Sequence, residues 1–286
     1  PFRQLWVNGG RRPRARLPKT GTYRVAGAPD ANYVGTHGET LRRGARRFVC
    51  KPGEVSASWR NLGAIDVQFR GWWMSPRAWI AQVDDATNTV WLDRNTTIRL
   101  AYAPDDGLDY VLENVRDALA EPGEWCADPA EACVWYRPLP GETPETTEAV
   151  AGGVEQVLEL HDTKWIRFEN LVFAHSEWRP GTLNAVSEQA SVSVSGAVTV
   201  RGACEGVAFD ACRIEHVGGY GFACADGATD VVFRNGVIRD LGAGGVKVWH
   251  GCRRCRIEDC EIGDGGHLWM SGVGVLIGKA AGNSVV

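Results

Sequence analysis

Twelve residues, Val207-Ala208-Phe209-Asp210-Ala211-Cys212-Arg213-Ile214-Glu215-His216-Val217-Gly218, recur in outline 24 positions later as Val231-Val232-Phe233-Arg234-Asn235-Gly236-Val237-Ile238-Arg239-Asp240-Leu241-Gly242. A further 24 positions on they recur as Cys255-Arg256-Ile257-Glu258-Asp259-Cys260-Glu261-Ile262-Gly263-Asp264-Gly265-Gly266. Three columns keep the period: Phe209, Phe233 and Ile257; Ile214, Ile238 and Ile262; Gly218, Gly242 and Gly266. A fixed period takes precedence over local propensity, because each copy is one structural unit stacked on the next. Phe168 and Phe173 mark an upstream copy 41 residues before Phe209 and Ile214, which is one 24-residue period plus a 17-residue insertion around Trp178 to Gln189.

Apolar residues alternate within each copy over short runs bounded by Gly or Asp, which excludes a helical repeat. Leucine-rich repeats share the period range but need several leucines per copy, and these copies have almost none. The expected architecture is all-β: a right-handed parallel β-helix over residues 151–286, with coils stacked at about 4.8 Å. Its hand follows from the preference for right-handed parallel crossovers.

Residues 1–150 read differently. Short β-like runs occur at Gln4–Gly9, Ala64–Phe69, Trp79–Val83 and Thr89–Leu92, bounded by turns such as Asn8-Gly9-Gly10 and Pro52-Gly53. They predict an antiparallel β-rich, insert-like domain. Leu112, Val115 and Leu119 stand at helical spacing and predict one short helix, closed by Pro122-Gly123.

Composition narrows the function. With 31 Lys plus Arg against 35 Asp plus Glu the net charge is −4, which argues against a nucleic-acid partner, and the short basic run Arg42-Arg43-Gly44-Ala45-Arg46-Arg47 reads as a solvated loop. No apolar stretch approaches the roughly 20 residues that span a bilayer, so no membrane partner is expected. The 35 glycines lack a triplet period, and many of them punctuate the repeat. The 12 tryptophans fall mostly in the first half, where core packing is their expected use; Trp178, Trp249 and Trp269 are candidates for stacking on sugars. The chain opens at Pro1-Phe2-Arg3 without an initiator Met or signal-like segment and closes within the repeat, so it reads as a β-helix truncated at its C-terminal end.

Of nine cysteines, Cys204 and Cys252 share one column and Cys212 and Cys260 another, while Cys255 takes the inward position of Val207 and Val231. Small buried residues in ladders explain them better than a structural zinc. Cys126 and Cys133 flank an Asp-Pro-containing turn whose geometry allows a hairpin-closing disulfide, and the sequence leaves their state open.

Beside the glycine column runs a polar one: His216, Asp240 and Asp264, with His175 in the upstream copy. A buried row of ionisable groups costs several kcal/mol unless paired, so the glycines should turn this column toward a solvated groove; strict alternation from Ile214 would instead point His216 inward. Stacked on adjacent coils, Asp240 and Asp264 would hold their carboxyl groups roughly 5 Å apart, the spacing of nucleophile and acid/base in a retaining glycosidase. Carboxylates that close divide roles, one charged and one protonated. Glu215, His216, His267, Lys247, Trp249 and Trp269 are the candidate substrate-binding residues around them. Equally open is the reading that these Asp residues cap turns through Asx hydrogen bonds. Oxygen ligands are too sparse for a calcium site, so no metal and no cofactor are expected.

Phe2-Arg3-Gln4-Leu5-Trp6-Val7-Asn8-Gly9 with Arg14-Ala15-Arg16-Leu17-Pro18 resembles the opening of the inserted β domain in bacterial β-helix proteins related to glycoside hydrolase family 141. Glu113-Asn114-Val115, Glu121-Pro122-Gly123-Glu124-Trp125 and Trp135-Tyr136-Arg137-Pro138-Leu139-Pro140 are similar to the same group. So are Gly218-Gly219-Tyr220-Gly221, Asp240 through Val246, and Gly272 through Gly278. The resemblance implies a secreted or periplasmic enzyme acting on complex polysaccharide, with fucosidase and xylanase activities both represented and catalysis by β-helix aspartates, here Asp240 and Asp264. It also implies further coils before Pro1 and after Val286. The expected function is therefore a monomeric glycoside hydrolase with a polysaccharide or oligosaccharide substrate. Two other classes stay open: a polysaccharide lyase with Lys247 or Arg239 as base, and a non-catalytic carbohydrate-binding β-helix.

Overall fold

The computed structural model describes residues 2–30, 44–96, 98–101, 106–178, 189–280 and 282–285. Arg42 and Arg43 of the basic run, and residues 179–188 of the expected insertion, lie outside them. The chain is all-β with parallel sheets, and it divides into two units: among the described residues, one comprises 7–149 and the other 2–6, 150–178 and 189–285.

In the second unit the repeat becomes three parallel sheets that the chain visits in turn. The first holds Leu158–His161, Gly196–Arg201, Tyr220–Ala225, Val246–Val248 and Val275–Ile277. The second holds Arg167–Glu169, Ala208–Asp210, Val232–Arg234, Arg256–Glu258 and Ser284–Val285; the third holds Val172–Ala174, Arg213–Val217, Val237–Leu241 and Glu261–Ile262. The register reproduces the sequence columns, with Phe168 beside Phe209, Phe233 and Ile257, and Phe173 beside Ile214, Ile238 and Ile262. Like residues therefore stack: the Phe168 and Phe209 rings lie 4.8 Å apart and 13° from parallel. Together with Ile214, Phe222, Phe233 and Ile238 they form an apolar interior between the sheets.

The cysteine columns lie in that interior. Cys204, Cys212, Cys224, Cys252 and Cys255 are buried, where they pack as small apolar groups. Hydrogen bonding to Cys224 and burial push the Cys255 thiol up to about 12, so at neutral pH it is not the thiolate that ligates metal or attacks. The 126–133 disulfide is not formed: Cys126 lies opposite Trp135 and Cys133 opposite Asp128. That diagonal relation separates the two by about 7–8 Å, beyond disulfide reach, with Cys126 buried and Cys133 exposed.

The first unit is built on an antiparallel sheet in which Asp109–Glu113 lies between Arg16–Leu17 and Asp66–Arg70, followed by Arg77–Asp84, Thr89–Leu92 and Arg47–Val49. Phe48, Phe69 and Tyr110 pack at its core. The helix expected over 112–119 is not there. Leu112 lies within the strand Asp109–Glu113, whose residues pair on both sides, and only Arg116–Ala118 form a turn of 3-10 helix. The apolar trio at helical spacing reports burial from a strand and a turn, which tertiary pairing imposes over propensity. Core packing holds for Trp125 but not for Trp72 and Trp73, which are exposed.

Candidate active site

Each coil must turn from the third sheet back to the first, and it does so through one residue in the left-handed region. His175, His216, Asp240 and Asp264 have φ of 62°, 57°, 51° and 53°. Among residues other than Gly, Asn, Asp and His are the types enriched there, so the polar column satisfies a backbone demand. The same turn resolves the orientation of His216. Its left-handed backbone interrupts the alternation, so that Glu215 and His216 both lie partly exposed and Val217 returns to the core.

The preceding corner provides a comparison. Asn170, Ala211, Asn235 and Asp259 adopt φ of 55°, 51°, 53° and 51° there, with no titratable side chain in three of the four positions. A left-handed turn alone does not call for two histidines and two aspartates in one row.

That row is wired together. Asp240 Oδ2 accepts the indole N–H of Trp6 at 2.7 Å and lies 2.5 Å from His216 Nδ1. The His216 ring stacks on His175 with centroids 5.0 Å apart, and Trp6 stands edge-on to His175 at 5.1 Å. On the other side, His267 Nε2 lies 3.0 Å from Asp264 Oδ1 and 3.6 Å from Asp240 Oδ1. One oxygen of Asp240, one of Asp264 and one ring nitrogen of His267 all fall within 4.8 Å of one another. The two carboxylates differ sharply in setting: the Asp240 side chain is 11% exposed and that of Asp264 64%.

Two departures from the 24-residue period build the surroundings. The first lies between His175 and Gly196, where the sequence carries 17 residues more than the later copies. There the buried Glu177 carboxylate accepts the backbone N–H groups of Arg3 (2.6 Å) and Trp178 (2.7 Å) and the side-chain amide of Gln4 (3.1 Å). This clamp holds residues 3–4, and with them Trp6, against the column. The second departure follows Asp264, since Val246 pairs with Val275, 29 positions on. The added residues bulge out: the amides of Leu268 and Trp269 donate to Gly242 O at 2.8 and 2.7 Å, and Trp269 buries its ring 4.5 Å from that of Trp178. That anchor sets His267 beside the aspartates. Gly266 accordingly leaves the glycine column. Gly242 passes so close to the coil before it that a Cβ would sit 2.0 Å from Gly218 O, whereas Gly266, at φ 81°, belongs to the bulge.

Of the residues singled out in the sequence, Asp240, Asp264, His216 and His267 come together. The others do not. Trp269 is fully buried and serves as an anchor, with no face for a sugar. Lys247 Nζ donates to Val192 O at 2.9 Å and Val194 O at 2.6 Å, which commits it to holding that segment. Trp249 follows a strand of the first sheet, at a different corner, and lies over Gly278, where a Cβ would come within 1.9 Å of its ring. Glu215 lies outside the trio, paired with Arg213 at 2.8 Å and Arg239 at 3.1 Å. Burial raises its carboxyl, but these arginines outweigh it and the net shift is downward.

Sequence reasoning missed Trp6 and Glu177. Neither belongs to the repeat, and only the clamp brings them to it. Asp240, Asp264 and His267 also offer the mixed oxygen and nitrogen donors that suit a borderline divalent metal, should one enter.

No family model and no curated protein matches the chain. Among solved structures, one described as a glycoside hydrolase superposes with a TM-score of 0.74 at 18% identity, over 97% of this chain and 56% of the other. The likeness is one of fold, and this chain spans little more than half the length of that neighbour.

Proposed function

We propose that the second unit is a right-handed parallel β-helix and that the chain belongs to a secreted or periplasmic glycoside hydrolase acting on complex polysaccharide, fucosidase- or xylanase-like, with Asp240 and Asp264 as its paired carboxylates. The observation that carries this reading is the approach of their oxygens to within 4.8 Å of each other at a partly open corner. Retaining glycosidases place their carboxyl groups about 5–5.5 Å apart, and inverting ones about 6.5–9.5 Å. The fold of the glycoside hydrolase neighbour supports the same reading.

The two settings suggest the division of roles. Asp240, mostly buried and accepting the indole N–H of Trp6, is the ionised nucleophile. It attacks the anomeric carbon as the glycosidic C–O bond breaks, while Asp264 gives its proton to the departing oxygen. In the second step Asp264 takes a proton from water, which displaces the Asp240 carboxylate and restores both groups. His267, hydrogen-bonding distance from Asp264, steers that proton. The lyase alternative loses support because Lys247 and Arg239 are already engaged by other groups.

Replacing Asp240 or Asp264 by Asn is a clean test, since Asn tolerates the left-handed turn as well as Asp does. Each variant should fold and lose at least about 1,000-fold in sugar release from an unactivated oligosaccharide, whose departing oxygen needs the proton that Asp264 gives. NMR of the first product should show retention at the anomeric carbon. Inversion, or undiminished turnover in both variants, overturns the assignment.

A further inference from the structure

The antiparallel unit exposes two adjacent tryptophans that the catalytic reading does not use. Trp72 is 86% and Trp73 53% exposed, at the turn joining strands Asp66–Arg70 and Arg77–Asp84. The turn is rigidly built. Gly71 N donates to Met74 O at 2.9 Å, Phe69 N to Pro76 O at 2.9 Å, and the Ser75 hydroxyl to Phe69 O at 3.1 Å. Gly71 rests so closely on the buried Ile98 that a Cβ there would lie 3.0 Å from its Cδ1. A pair of indoles held out on such a turn has its binding geometry organised in advance, which lowers the entropic cost of engaging a ligand.

The ring geometry limits what that ligand is. The centroids lie 6.1 Å apart with the planes 86° from parallel, so the pair forms a corner. A flat crystalline face needs coplanar rings to lie on. A single pyranose ring has apolar C–H faces and a hydroxyl rim, and it fits a corner by stacking on one indole while the other closes its side. Nor does the patch suit a second copy of the chain. Two tryptophans at these exposures offer on the order of 300 Å², so a symmetric pair would bury about 600 Å², well below the roughly 1,200 Å² of a stable interface.

We infer that Trp72 and Trp73 form an ancillary carbohydrate-binding site for individual, non-crystalline polysaccharide chains of pyranoses. The inference rests on the glycoside hydrolase reading for its choice of sugar as occupant. Gel electrophoresis through soluble xylan and soluble hydroxyethyl cellulose, against microcrystalline cellulose pull-down, tests it with the intact protein and the double variant W72A/W73A. Both soluble polymers should retard the wild type, crystalline cellulose should leave it in solution, and the double variant should lose about tenfold or more in affinity for the polymers. Hydrolysis of a short aryl glycoside should be unchanged in the variant. Equal retardation of wild type and variant overturns the site. So does tryptophan-dependent self-association in sedimentation, or tryptophan-dependent binding to phosphatidylcholine vesicles. Tryptophan-dependent polymer binding without any hydrolysis would leave this site standing and remove the catalytic assignment.

Discussion

Asp240 concentrates the argument at the scale of single residues. Its place in the sequence follows from a backbone requirement, because a left-handed corner recurs every coil and Asp meets it. Its surroundings do not follow from that requirement. Oδ2 receives an indole N–H from Trp6, 234 positions away in the chain, and lies beside His216, 24 positions away. A hydrogen bond to a charged group contributes about 1.5–3 kcal/mol, so Trp6→Phe, which keeps an aromatic side chain but deletes the indole donor, should lower kcat about 10- to 100-fold. KM should hardly move, and the fold should survive. A change confined to KM, or none at all, would remove Trp6 from the positioning of Asp240. The carboxylates were legible in the sequence because they belong to the period. Trp6 was not, since nothing local distinguishes it from a strand tryptophan.

Elements show where a periodic sequence misleads. The phenylalanine and isoleucine ladders follow the 24-residue register wherever the chain is in a sheet. At the corner the register is free to slip, because insertions there disturb no ladder. Thus Gly266 and Trp269 occupy positions in the numbering that suggest one role and serve another in the bulge after Asp264. Trp269 is the peg of that bulge, docked on Trp178 and bonded through its amide to Gly242 O at 2.7 Å. Trp269→Ala should cost about 3–5 kcal/mol in urea unfolding, as large-to-small core changes do. It should also free residues 267–271 to proteolysis and reduce turnover by displacing His267. A cost below about 1 kcal/mol would mean that the ring is dispensable.

For the whole molecule, each unit has its own means of stability. The parallel unit relies on its apolar ladders, and both units also bury charged side chains, Glu177 and Asp240 in the parallel one and Glu124 in the antiparallel one. Glu124 shows how that charge responds to acid. Burial pushes its carboxyl up, but Lys19 Nζ at 2.6 Å and the amides of Ala120 and Glu121 prevail, so its folded pKa lies below the ordinary value. The sign is that of a carboxylate preferred in the folded state: its stabilisation is complete above the unfolded pKa of about 4.3 and is lost as pH falls through the folded one. Glu124→Gln should therefore unfold at lower urea than the wild type at pH 7, and the gap should close as the pH is lowered below about 4. A gap that stays constant with pH would assign the loss to packing.

The 24-residue period sets the parallel stacking register and the row in which Asp240 and Asp264 stand, because a period in the chain becomes a ladder in space through nearest-neighbour pairing alone. It also marked the corner that accepts the long insertion. Which side chains meet at that corner was decided only by the tertiary structure. The Glu177 clamp, the Trp178–Trp269 contact and the approach of Trp6 join segments of unrelated sequence, and their placement depends on close packing between loops that follow no period. Lys247 and Trp269 were drawn away from the site for the same reason, each finding a partner that no spacing in the sequence announces.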